Sequence, residues 1–97
     1  MARFHVHHLD HDLAVDVQSN LLDGLHTRVV VPLIPQNEIS RLIPRLNPIF
    51  QINGVIYVLM TEFMAAVPAG ELGSRVADLS AHADEITAAT DFLFQGF

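Results

Sequence analysis

Neither cysteine nor lysine occurs anywhere in the 97 residues. Without thiols there is no disulfide framework, no thiolate nucleophile and no zinc–thiolate centre. Without lysine, positive charge rests on Arg3, Arg28, Arg41, Arg45 and Arg75, which are scattered along the chain. Against them stand 11 acidic residues, for a net charge of −6 with histidine neutral. A protein that grips a phosphate backbone clusters its cations, so direct nucleic-acid binding is not expected. Long apolar runs are missing too. The least charged stretch, Leu46 to Thr61, contains Pro48, Gln51, Asn53 and Gly54 and is too short and too polar to span a bilayer. The opening MARFHVHHLDHD has no apolar h-region, so no signal peptide is expected, and the cytoplasm is the expected location. No Gly-rich phosphate loop is present, and Gly70 and Gly73 suit a turn. Ser19 has no nucleophile-elbow context. Glu38, Glu62, Glu71 and Glu85 are too dispersed to work as a carboxylate pair. These residues therefore give no sign of hydrolase, paired-carboxylate or phosphate-loop chemistry, and no cofactor is expected.

Apolar material is what the chain does have. Hydrophobic residues make up 51% of it, charged residues only 16%, and the mean hydropathy is +0.35. Its length makes one domain, residues 1–97. So small a body has too much surface to hide that much apolar area alone. One face is expected to meet another chain, most economically a second copy.

Short strands fill most of the sequence. Arg3 to His7 alternates, with Phe4 and Val6 on one side and His5 and His7 on the other. A polar turn, His8 to Asp12, leads to a strand at Leu13 to Val17. Ser19 to Leu25 reads as a loop or short strand. Thr27 to Leu33 is rich in β-branched residues, and Pro32 inside it implies an edge position or an irregularity. Pro35, Pro44 and Pro48 confine Gln36 to Asn47 to a long loop with at most a short helical turn. Ile49 to Ile52 and Val55 to Met60 flank Asn53-Gly54, a strong hairpin signal because both residues tolerate positive φ. Val55 to Met60 is apolar on both alternating faces, so both need cover. Phe63 to Val67 is a further strand stopped by Pro68, Ala69 to Ser74 is irregular, and Arg75 to Leu79 leads into the last element.

That last element, Ser80 to Phe97, reads as one helix. Ser80 is the expected N-cap; Asp84 and Glu85 suit the positive end of the dipole. Ile86, Ala89, Leu93 and Phe97 form a single stripe at helical spacing. Asp84, Asp91 and Gln95 face the other way, Phe92 points outward, and Gly96 is free to leave helical geometry. His5, His7, His8 and His11 with Asp10 and Asp12 form the densest titratable cluster. Within it His5 and His7 share a strand face and are weak candidates for zinc or nickel. A solvated strand edge and turn explains the same cluster without metal.

Three segments together resemble the CcdB family: Val15-Asp16-Val17-Gln18-Ser19, Val76-Ala77-Asp78-Leu79-Ser80, and the ending Phe94-Gln95-Gly96-Phe97. Val29-Val30-Val31-Pro32-Leu33 and Met60-Thr61 with Met64-Ala65-Ala66-Val67-Pro68 are weaker matches in the right order. The resemblance runs from about Arg3 to Phe97. It implies a mainly β fold with one C-terminal α-helix, an SH3-like antiparallel barrel. It also implies a homodimeric, non-enzymatic toxin of a plasmid or chromosomal toxin–antitoxin pair. Such a toxin binds the A subunit of DNA gyrase, traps the cleaved-DNA complex of that topoisomerase, and is neutralised by a CcdA-like antitoxin. By position, the resemblance implies gyrase-facing roles for Gln95, Gly96, Phe97, Asp91, Phe4, His7, Ser19 and Leu21. Of these, Phe4, Ser19 and Gly96 keep the family's residue type, and Leu21 is a near match. The family ends in Trp-Gly-Ile where this chain has Gln-Gly-Phe. That departure keeps a second reading open, a CcdB-fold homodimer that binds an antitoxin and no longer poisons gyrase.

Overall fold

The computed structural model describes residues 2–96. Seven strands precede one helix: β1 (His5–Leu9), β2 (Asp12–Asp16), β3 (Thr27–Pro35), β4 (Ile49–Ile52), β5 (Val55–Leu59), β6 (Ala65–Pro68), β7 (Arg75–Asp78) and α1 (Ala83–Gln95). The sheet order is β4-β5-β3-β2-β1-β7, with β6 on β3, and every pairing is antiparallel. The sheet curls into a half-barrel. The mainly β architecture with a closing helix is therefore the one the sequence implies.

The long strand β3 organises the sheet. One edge pairs with β2. The other carries two partners in succession, β6 against Thr27 to Val30 and β5 against Leu33 to Pro35. Pro32 sits at the handover between them. Its carbonyl accepts from the Met60 N–H at 2.9 Å, so its main-chain polar edge faces the gap between β5 and β6. A missing N–H there forfeits no ladder bond. The irregularity expected of this proline is present, but the edge position is not, because β3 is an interior strand. At Asn53-Gly54 both φ angles are positive, 51° and 82°, and Ile52 faces Val55 across a tight hairpin.

The core lies on the concave face. Val6, Val15, Val31, Leu33 and Leu59 are sealed there, and α1 covers them with Ile86 and Ala89. Burial of such side chains is worth about 1.5–3 kcal/mol each, so this contact fixes where the helix lies. The helical stripe weakens toward its end, since Leu93 is already exposed; Phe97 lies outside the described residues. Cover of β5 is also partial. Val58 and Leu59 are buried, whereas Val55 and Ile56 near the hairpin are exposed.

Several boundaries differ from the sequence reading. Phe4 does not begin β1. It takes φ 71°, which is rare for an aromatic, and is held there from both sides. Its N–H donates to the Asp16 carbonyl at 2.6 Å, and its carbonyl accepts from the Leu79 N–H at 2.8 Å. Arg75–Asp78 is a strand paired with β1, not a lead-in. Phe63 belongs to a 3-10 turn, Thr61–Phe63, ahead of β6. The last element divides into a 3-10 turn at Ser80–His82 and then α1. Ser80 is not its side-chain cap; instead, the Ser80 N–H donates to Oδ1 of Asp78 at 2.8 Å.

Candidate functional site

The end of α1 is built to stand free. Asp84 and Glu85 occupy its first turn, the favourable end of the dipole for carboxylates. At the other end Gly96 takes φ 79°, and its N–H donates to the Phe92 carbonyl at 2.9 Å. This left-handed closure satisfies a terminal carbonyl and stops the helix. Asp91, Gln95 and Gly96 are all exposed on that last turn. Phe97, the remaining member of the implied terminal set, lies outside the described residues.

One aromatic of the helix departs from expectation. Phe92 is not outward. It is half-buried, with the Arg45 guanidinium 4.6 Å from its ring centre, a cation–π contact that ties the proline-bracketed loop to the helix. The outward aromatic is Phe94, 71% exposed. A signal for it was present in the sequence. Thr87, Thr90 and Phe94 stand at i, i+3 and i+7, a second stripe beside the core one.

That second stripe forms one wall of a groove. Ile86, Thr90 and Phe94 face Val17, Leu22 and Met64 across an open volume of about 360 Å³. Ser19 lines the groove, and Arg3 borders it. Arg3 is held by main-chain and ring contacts. Its Nε donates to the Val17 carbonyl at 3.2 Å, and its guanidinium lies 4.7 Å from the Phe4 ring centre.

The Val15-to-Ser19 segment owes its shape to a buried ion pair. Asp16 and Arg28 are 0% and 1% exposed. Nε of Arg28 donates to Oδ2 of Asp16 at 2.8 Å. Nη2 lies 2.7 Å from the same oxygen without being aligned for a second hydrogen bond. Nη1 donates to Asp23 at 3.2 Å. Oδ1 of Asp16 accepts from the Gln18 N–H. Gln18 in turn accepts from the Val29 N–H and donates to the Leu22 carbonyl, each at 3.0 Å. These bonds pin both ends of the turn that follows. Ser19 Oγ accepts from the Leu21 N–H at 3.2 Å, opening a 3-10 turn at Asn20–Leu22. Leu21 is thereby pushed into solvent, 95% exposed.

Phe4 and His7 do not join this surface. Phe4 is 9% exposed and belongs to the core. His7 is 6% exposed, because β1 is an interior strand flanked by β2 and β7 and the chain before β7 folds over it. Its Nδ1 donates to the Gly73 carbonyl at 3.0 Å, and its Nε2 is enclosed without a partner. The metal idea fares poorly for the same reason. His7 has one nitrogen engaged and the other enclosed, while His5 Nε2 points at Asp78, 3.7 Å away. Among the described residues no group of three or more His, Cys, Asp or Glu is arranged to hold a metal ion. Nor is any helix of the described residues long and apolar enough to cross a membrane.

Comparison with known proteins adds family and fold. Residues 3–96 match the profile of the CcdB protein family. Among solved structures, an endoribonuclease in complex with its cognate antitoxin, from a mycobacterial species, superposes with a TM-score of 0.80. It shares 19% identity over 97% of this chain and 94% of its own. A further mycobacterial endoribonuclease superposes with a TM-score of 0.75 at 20% identity, over 97% and 90% of the two chains. At such identities the likeness is one of fold.

Proposed function

This chain belongs to the CcdB family, and on that premise we propose that it is the toxin of a toxin–antitoxin pair. In this reading it is a homodimer that binds the A subunit of DNA gyrase, stabilises the cleaved-DNA state and is removed by a cognate antitoxin. The observation that carries the reading is the free tip of α1. There Asp91, Phe94, Gln95 and Gly96 are exposed at the end of a helix whose other half is locked into the core. A rigid, exposed aromatic near a polar rim is the kind of anchor that dominates protein interfaces. It adds binding energy to one state of a larger enzyme's cycle and so raises that state's population, with no bond chemistry of its own.

The names of the structural neighbours favour one rival, RNA cleavage. The charge inventory speaks against it. Arg28 is sealed against Asp16, and the remaining Arg3, Arg41, Arg45 and Arg75 are spread along the chain. Little clustered positive charge is left for a phosphate backbone.

The test is expression with and without an antitoxin, joined to gyrase A capture by the purified protein. The expected result is growth arrest rescued by antitoxin, capture of gyrase A, and intact RNA after incubation. Loss of residues 95–97 should abolish both arrest and capture while leaving a folded dimer. Healthy growth with abundant soluble protein rejects the toxin reading. Antitoxin binding without gyrase capture moves the assignment to an interaction partner that has lost poisoning, and RNA cleavage moves it to a nuclease.

A further inference from the structure

The asparagines of the chain are Asn20, Asn37, Asn47 and Asn53, and their side-chain amides sit in different surroundings. Asn20 is engaged, its Oδ1 accepting from the Arg3 N–H at 2.9 Å. Asn47 is 2% exposed. Its Oδ1 accepts from the Ile43 N–H at 2.9 Å, and its Nδ2 donates to the Leu59 carbonyl at 3.1 Å and to Glu62 at 2.7 Å. Its successor is Pro48, whose nitrogen carries no hydrogen. Asn37 is exposed in the 3-10 turn Gln36–Glu38, and the bulky, charged Glu38 follows it. Asn53 alone is both exposed and followed by glycine. Among the described residues its amide has no hydrogen-bond partner, in contrast to those of Asn20 and Asn47.

An asparagine followed by an unhindered amide is able to close on itself. The nitrogen of the next residue attacks Cγ, so that an N–Cγ bond forms and the Cγ–Nδ2 bond breaks. The proton of the attacking amide leaves with Nδ2, and ammonia departs. Solvent water then opens the resulting succinimide at either carbonyl. One product is aspartate; the other is isoaspartate, whose main chain runs through the former side chain. No oxidant or reductant takes part.

The tip of the β4–β5 hairpin meets the demands of that closure. No atom lies within 4 Å of where a Cβ would sit on Gly54, so the side of attack is open. Asn53 and Gly54 have φ 51° and 82°, both positive, as in a type I′ turn. The alternative two-residue hairpin turn, type II′, takes φ about 60° and ψ about −120° at its first central residue. Asn53 already has that φ, and a succinimide ring holds ψ in the same region. Flipping the single peptide unit between Asn53 and Gly54 therefore brings the nitrogen onto Cγ while the strands stay paired. Glycine accepts the change of φ that the flip imposes on it.

We infer that Asn53-Gly54 is a self-modification site of the folded protein, where the amide converts without an enzyme to aspartate and isoaspartate. Conversion places a carboxylate beside the exposed Val55 and Ile56. In the iso form it also lengthens the main chain inside the turn that sets Ile52 opposite Val55. The site needs only the hairpin and does not depend on the toxin reading.

The test is incubation of the purified full chain at neutral and at mildly alkaline pH, with and without urea, followed by peptide mapping by mass spectrometry. The expected result is a time-dependent replacement of amide by acid at Asn53 in the native protein, faster at the higher pH. Aspartate and isoaspartate peptides should both appear, and Asn20, Asn37 and Asn47 should stay intact. Gly54→Asn keeps a residue that tolerates positive φ but adds a side chain beside the attacking nitrogen. Conversion at position 53 should then slow by roughly tenfold. An intact Asn53 in the native protein, whether or not urea releases the reaction, overturns the site, and this comparison does not rely on the variant. Conversion of Asn37 at an equal rate overturns the selectivity. Aspartate without isoaspartate, or an unchanged rate in a folded Gly54→Asn protein, overturns the ring closure.

Discussion

Phe4 and Phe94 are the same side chain in opposite circumstances. Phe4 is packed in the core at a left-handed backbone position clamped by Asp16 and Leu79. Phe94 stands 71% exposed on the last turns of α1. The family resemblance places members of one partner-facing set in both regions; Phe4 and His7 are buried, whereas Leu21 and the helix end are exposed. Phe4 and Asp16 instead shape the backbone beneath the exposed members. Asp16 receives the Phe4 N–H on its carbonyl and the Arg28 guanidinium on its carboxylate, and the same pair pins the turn that exposes Leu21. Two kinds of residue thus support one surface, and they should fail in different ways.

The largest effect is expected on the buried side. Asp16→Ala leaves the enclosed Arg28 guanidinium with one remaining carboxylate, the exposed Asp23 at 3.2 Å from Nη1. Removing one partner of a buried ion pair costs about 3–5 kcal/mol, and with Asp23 still in reach urea denaturation should show a loss near the lower end of that range. The Ser19–Leu25 segment should lose hydrogen-exchange protection with it. A loss under about 1 kcal/mol would mean that the pair is not the clamp described here.

Phe94→Ala should do the reverse. Its ring contributes little to the core, so stability should stay within about 0.5 kcal/mol. Partner affinity should fall by about tenfold or more if the ring is an interface anchor, as read by surface-immobilised titration with gyrase A. Unchanged affinity would remove the helix tip from the contact. Leu21→Ala is the milder version, again near-neutral for stability. The expected loss is about 1 kcal/mol of affinity, roughly fivefold, and a stability loss well above that bound would show that Leu21 packs instead of projecting.

The contrast between these regions also explains what could be read in advance. The Asn53-Gly54 hairpin was legible because positive φ is a local demand that few residues meet. Pro32 announced an irregularity for an equally local reason, the missing N–H. The burial of Ile86 and Ala89 followed from periodicity. β7 was not legible. Arg-Val-Ala-Asp carries little alternation, and it is a strand only because β1 offers it an edge. His7 alternates like an outward residue, but the segment through Gly73, distant in sequence, closes over it. Phe92 and Phe94 differ by two residues, and what separates them is Arg45 in a loop that no pattern ties to the helix. Backbone chemistry was local and readable; cover supplied by another segment was not.

Asp78 offers the smallest and most discriminating check, because it joins the two regions. It pairs with His5 across β7 and β1 and starts the turn into α1. Its carboxyl is held below the ordinary value of 3.8, chiefly by the hydrogen bond from the Ser80 backbone and secondly by the Ser80 side chain. Burial opposes the shift, and the charges of His5 and Arg75 assist it. A carboxyl lowered on folding adds stability above its unfolded value, and that contribution is lost as pH falls through the folded value. Asp78→Asn keeps an acceptor for the Ser80 N–H and removes the charge. The unfolding free energies of the two proteins should therefore differ most above about pH 4 and converge as the solution is acidified below it. A difference that is constant with pH, or that widens in acid, would show that the carboxylate charge is not what holds β7 to the start of the helix.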